Sequence, residues 1–145
     1  VIRNLSRPLA QIAMSMPDIS ICFELPVVIS RSSKLVRCPA ISCFQSANRF
    51  EETDKLLTDT KPGLVIEVAS TNDRREGMAD RIQSYLDAGI AGVWVIDPVT
   101  RQVHQFIAGR VGSRLSEKDV LNGDPILPGF TLPVSALFKP PSWAG

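Results

Sequence analysis

The sequence predicts an α/β fold built on a mixed β-sheet, and three neighbouring segments carry that prediction. Residues 64–69 (LVIEVA) are apolar at every position but Glu67, the pattern of a strand covered on both faces. Met78, Ile82, Tyr85 and Leu86 then recur at helical spacing, with Gly89 placed to end the helix. Residues 92–97 (GVWVID) form a second doubly covered strand, closed by Asp97-Pro98. Strand, helix of about four turns and strand make a βαβ unit, so the two strands are expected to run parallel with a right-handed crossover.

The remaining elements follow in order. Ile2, Leu5, Leu9, Ile12, Ala13 and Met16 mark an amphipathic opening helix, expected to start or bend at Pro8 and to stop at Pro17. Residues 19–30 and 35–44 are rich in β-branched side chains and predict strands separated by a turn at 31–34. Pro26 and Pro39 each remove a ladder donor, so both strands should be edge-like or irregular. Residues 45–61 are polar and without period, an excursion with a short helix expected around 50–57. Asp73 and Glu76 have capping-box spacing at the start of the central helix. Residues 101–108 alternate and lead through a glycine-rich turn into 113–118 as a hairpin. Residues 125–133 read as loop, and 134–138 as one helical turn. A single domain over 1–138 with a tail at 139–145 accounts for the chain.

Composition narrows the function. The chain has 145 residues, 44% hydrophobic and 21% charged, close to an ordinary globular domain. No apolar run approaches the roughly 18 residues of a membrane span, and a cytoplasmic protein is expected. The net charge of +1 excludes a strongly basic nucleic-acid coat but permits a local basic patch. Cys22, Cys38 and Cys43 lack CxxC spacing, and His104 is the single histidine, so a Cys/His zinc site is excluded. The chain opens in an amphipathic pattern without an initiator Met, which suggests that further residues precede Val1.

Glu67 stands out. A carboxylate in a strand covered on both faces needs a partner, either a divalent cation such as Mg²⁺ or a buried arginine. Arg81 lies three residues after Met78 and four before Tyr85, at the border of the sheet-facing stripe, so its fork can reach down to Glu67. Arg37 is the second candidate partner. Arg74 and Arg75 open the helix beside this strand, as phosphate contacts or solvated surface arginines. Ser70 with His104 lacks the context of a nucleophile elbow, and His104 is expected on an exposed strand face. Glu51, Glu52, Asp54 and Asp59 read as a solvated acidic run. Asp97 suits a turn better than a metal site, and Trp94 and Tyr85 suit the core.

The order αβββαβ with a glutamate in the third strand resembles the PD-(D/E)XK nuclease core. From about residue 36 to 138 the chain resembles the Uma-type restriction endonuclease family, a large bacterial group. The likeness is carried by Glu67, Val68 and Ser70, by Tyr85, Ala88, Gly89, Trp94, Asp97 and Pro98, and by LPGFTLP at 127–133. It implies a restriction-endonuclease-like core with a mixed sheet and a C-terminal β appendage, and an N-terminal hairpin that this chain lacks. It also implies cleavage of DNA by a water activated near Mg²⁺, with Glu67 as a metal ligand. Several family positions differ here. The second-strand Asp that follows a proline is Ala40, after Pro39. The lysine two residues beyond the glutamate is Ala69, and the helix position that supplies the family's lysine is Arg81. The family's Asp three residues before the glutamate is Leu64. One carboxylate holds Mg²⁺ weakly, and a guanidinium is not a general base. Weak or absent hydrolysis is therefore expected, with a non-catalytic scaffold for nucleic acid or protein, or a structural homodimer, as the alternative. Exposed sheet edges favour homo-oligomers. Strand parity puts position 40 on one face with 38 and 42, and Glu67 on one face with 65 and 69.

Overall fold

The computed structural model describes residues 1–45, 52 and 54–141. The opening helix α1 (Ile2–Ser15) runs unbroken through Pro8 instead of starting or bending there. Leu5 and Leu9, both fully buried, flank the proline and hold the helix to the sheet on either side of the lost hydrogen bond. Each predicted long strand is split at its proline. Residues 19–30 become β1 (Ile19–Phe23) and β2 (Val27–Ser30), and residues 35–44 become β3 (Leu35–Arg37) and β4 (Ile41–Gln45). The β2 and β3 segments pair with each other as a small hairpin outside the main sheet, and Val27 also bridges to Thr58.

The βαβ unit has the expected polarity. Strand β5 (Leu64–Val68) runs parallel to β6 (Gly92–Asp97), with Glu67 opposite Val95. The connecting helix is two pieces, α2 (Asn72–Glu76) and α3 (Met78–Asp87), broken at Gly77. The N-cap is Thr71, whose hydroxyl accepts from the Arg74 N–H at 3.2 Å; Asp73 lies inside the first turn and is not the cap. Gly89 takes φ +88°, the left-handed turn that ends α3.

Strand β7 (Gln102–Ile107) and β8 (Ser113–Leu115) complete the predicted hairpin, giving a six-stranded mixed sheet in the order β1-β4-β5-β6-β7-β8. The stretch expected as loop contains β10 (Thr131–Pro133), which pairs with β9 (Val120–Asn122) ahead of the short helix α4 (Val134–Leu137). Gly123 permits this second hairpin to close, since a Cβ there would lie 2.5 Å from the Leu127 carbonyl oxygen. Asn4 ties the chain's ends together by donating to the Leu137 and Lys139 carbonyls at 2.8 and 3.0 Å.

Alternation sorts the sheet into two faces. One buries Leu64, Ile66, Trp94, Ile96 and Val103 against α1 and the C-terminal segment. The other sets Val65, Val93 and Val95 against Met78 and Tyr85 of α3. Glu67 shares the second face. Of the helix expected around 50–57, residues 50, 51 and 53 lie outside the described residues, Glu51 among them, and 52 and 54–57 are not helical. Glu52 is not solvated as expected: it is 1% exposed and accepts from the Lys55 ammonium at 2.9 Å and the Thr58 hydroxyl at 2.7 Å. Burial works against its charge, but these bonds hold its carboxyl below the usual range.

Candidate functional site

Glu67 is fully buried at the C-terminal end of the parallel β5–β6 pair. In open α/β sheets the crevice outside the carboxyl ends of parallel strands is where ligands collect. Arg81 Nε donates to Glu67 Oε2 at 2.9 Å, from a side chain 23% exposed. The Tyr85 hydroxyl, one helical turn later, donates to Oε1 at 3.3 Å. Burial opposes the charge on Arg81, but the Glu67 carboxylate outweighs it and holds the guanidinium above its ordinary range. Burial and the same carboxylate push the Tyr85 phenol well above its usual value, so it stays a donor.

The second cation beside Glu67 is Arg74, not Arg37. Arg74 Nη1 lies 3.7 Å from Glu67 Oε2, and about half of its side chain remains open to solvent. Arg37 belongs to the separate β2–β3 hairpin, and its Nε is buried with no hydrogen-bond partner among the described residues. Arg75 faces the next strand: its Nη2 meets Asp97 Oδ1 at 2.6 Å. The same oxygen accepts from the Val99 and Thr100 N–H groups at 2.9 and 3.2 Å, so Asp97 builds the turn and an ion pair together. Burial opposes the Asp97 charge, but those amides and Arg75 hold its carboxyl below the usual range.

The β4–β5 ladder runs from Cys43–Leu64 to Ile41–Ile66. The remaining family position, Ala40, directly precedes β4, carries only a methyl group, and its carbonyl accepts from the Glu24 N–H at 3.1 Å. Ser70 is exposed and Ala69 buried. His104, expected on an exposed strand face, is half-buried on the α3 face opposite Val95.

The Tyr85 hydroxyl and the cap at Thr71 are the site features that sequence reasoning missed. A tyrosine one helical turn after Arg81, on the same face of the helix, is the signal that could have found the first. For Mg²⁺ the donor set does not fit. One carboxylate is present, a guanidinium already holds one of its oxygens, and Ala40 offers no ligand. Among the described residues no three His, Cys, Asp or Glu side chains converge as a metal site. Two guanidinium groups around one carboxylate instead leave excess positive charge at the mouth of the site.

Sheet order, the two covered faces and a glutamate at the end of β5 together define a restriction-endonuclease-like α/β protein. Residues 1–135 match the family Uma2, described as putative restriction endonuclease, and the chain belongs to that family. Proteins with restriction-endonuclease-like cores generally depend on Mg²⁺. Among solved structures the chain is similar to a putative nuclease of the DUF820 family from Anabaena variabilis. The two share 15% sequence identity at a TM-score of 0.80, over 94% of this chain and 77% of that one. At that identity the likeness speaks for the fold. No curated protein matches the chain. Among the described residues, no helix is long and apolar enough to cross a membrane.

Proposed function

We propose that this chain is a nuclease-fold protein that binds the phosphodiester backbone of DNA at Arg74 and Arg81 and hydrolyses it weakly or not at all. The observation that carries this reading is the Arg81–Glu67 pair at 2.9 Å. The carboxylate that a metal-dependent nuclease offers to its cation is here committed to a guanidinium. Arg81 cannot serve as a general base, because it is essentially never deprotonated. What the cluster retains is two planar forks suited to phosphate oxygens, one half exposed at the mouth. Glu67 positions Arg81 and Tyr85 keeps Glu67 in place.

Unpaired thiols at Cys22, Cys38 and Cys43 support a reducing, cytoplasmic setting. Phe23 of β1, the last strand in the described sheet order, is 47% exposed and supports an apolar contact with a second copy.

Purified protein incubated with supercoiled plasmid and Mg²⁺ or Mn²⁺ tests the hydrolytic half, and a salt series of fluorescence anisotropy with labelled DNA tests the binding half. The expected result is no cleavage above background, with affinity that falls log-linearly with salt and weakens in Arg74→Ala. Robust cleavage that disappears in Glu67→Ala would restore the metal-ligand role, and absence of binding at low salt would remove DNA as the partner.

A further inference from the structure

Beside the Glu67 cluster, on the same face of the sheet, lies a pocket of about 210 Å³. Its floor is apolar: Met78 and Ile82 come down from α3, Val95 rises from β6, and Phe106 supplies an aromatic wall from β7. Its polar groups, Arg75, Asp97 and His104, accompany that floor. Arg75 already gives Nη2 to Asp97, yet its Nε is buried with no hydrogen-bond partner among the described residues. Ala69 belongs to this pocket and stands two residues after Glu67, so pocket and arginine cluster adjoin along one strand.

We propose that this pocket receives one nucleobase of a DNA strand whose phosphodiester lies at Arg74 and Arg81. The proposal rests on the phosphodiester reading above and adds to it a base-binding subsite. A dry cavity of about 150 Å³ holds a benzene ring, and drug-sized ligands occupy about 300 Å³ or more, so the volume suits one heteroaromatic ring system. Apolar walls with an aromatic face are the surroundings that flipped or single-stranded bases use. Arg75, Asp97 and His104, which line the pocket, are the polar groups that can meet the edge of a base. Consecutive arginines divide the work, Arg74 turned to the backbone site and Arg75 to the base.

The direct test is methyl NMR on the wild-type protein, titrated with each deoxynucleoside monophosphate and with deoxyribose 5-phosphate. Shifts at Met78 and Ile82 with at least one nucleotide and none with the sugar phosphate are expected. If no nucleotide moves these methyls, or the sugar phosphate moves them equally, the proposal is wrong.

Affinity for a short single-stranded oligonucleotide against an abasic strand of equal length gives a second readout. The intact strand should bind about tenfold more tightly. Ile82→Trp, which fills the pocket, should bring it down to the abasic affinity without altering binding of the abasic strand. Equal binding of both strands to the wild type overturns the base pocket and leaves the backbone site standing. Failure to bind either strand overturns both. Self-association that Ile82→Trp abolishes, without any effect of the base, would assign the pocket to a second copy and overturn the proposal.

Discussion

Arg81 and Glu67 stand fourteen residues apart in sequence and meet through a single hydrogen bond, Nε to Oε2 at 2.9 Å, across the interface of α3 and β5. The carboxylate is fully buried, whereas the guanidinium keeps 23% of its side chain exposed. Removing Arg81 therefore strands a buried charge. Arg81→Ala is expected to destabilise by about 3 kcal/mol, at the low end for a buried pair because Arg74 stands near. Glu67→Gln combined with Arg81→Met should recover most of that loss. Urea unfolding of the three proteins checks both statements, and an Arg81→Ala protein as stable as wild type would show that the pair carries no structural weight.

Ala40→Asp with Arg81→Lys should create a cation site where the native chain has an ion pair. The β4–β5 ladder ends at Ile41–Ile66, and continuing it by one residue would bring position 40 opposite Glu67. A lysine in place of the arginine also releases the planar fork that holds Oε2. Calorimetric titration with Mn²⁺ should show affinity more than about tenfold above either single variant. No gain in the double variant would mean that the two positions do not present one site.

Asp97 gives the fold a defined acid sensitivity. Its carboxyl is held below the usual range, so its contribution is fully present above the unfolded value of about 3.9 and is lost as pH falls through the folded value. Asp97→Asn should cost about 1.5 kcal/mol at pH 6, given a charge-assisted bond to Arg75. The difference between variant and wild type should shrink as the pH is lowered below the ordinary carboxylate range. Paired denaturant titrations at pH 6 and at the lower pH measure it.

Thiol labelling should count one reactive cysteine in the native chain and all three after denaturation. Cys38 is exposed, while Cys22 and Cys43 are buried. Burial pushes the Cys22 thiol up to about 11 and the Cys43 thiol up to about 12, so neither offers thiolate at neutral pH. Cys38 is also raised, by burial first and then by nearby Glu24, so its labelling should be slow. Two or more native thiols reacting together would indicate an opening of the β1–β4 edge.

The centre of the fold was legible because burial dictated it. A run such as LVIEVA leaves little choice but a strand covered on both sides, and its one charge had to find a partner on the helix above. Arg81 was placed by helical spacing alone. Arg74 was harder to place, because the break at Gly77 turns α2 relative to α3 and helical counting does not carry across it. Thr71 took the cap from Asp73 because its extended backbone lets the hydroxyl reach the Arg74 amide. The β9–β10 pair escaped notice for another reason. Three-residue strands carry too little alternation to register, and Pro125 and Pro133 made the stretch look like loop. Glu52 looked solvated because its partners, Lys55 and Thr58, close over it only through a local turn.

Five residues of α2 carry two adjacent guanidinium groups that grip the tips of neighbouring strands, Arg74 at β5 and Arg75 at β6. The segment thus acts as a staple across the open end of the parallel pair. One short helical turn supports both strand ends, so the tips of β5 and β6 are braced by a single segment rather than by separate loops.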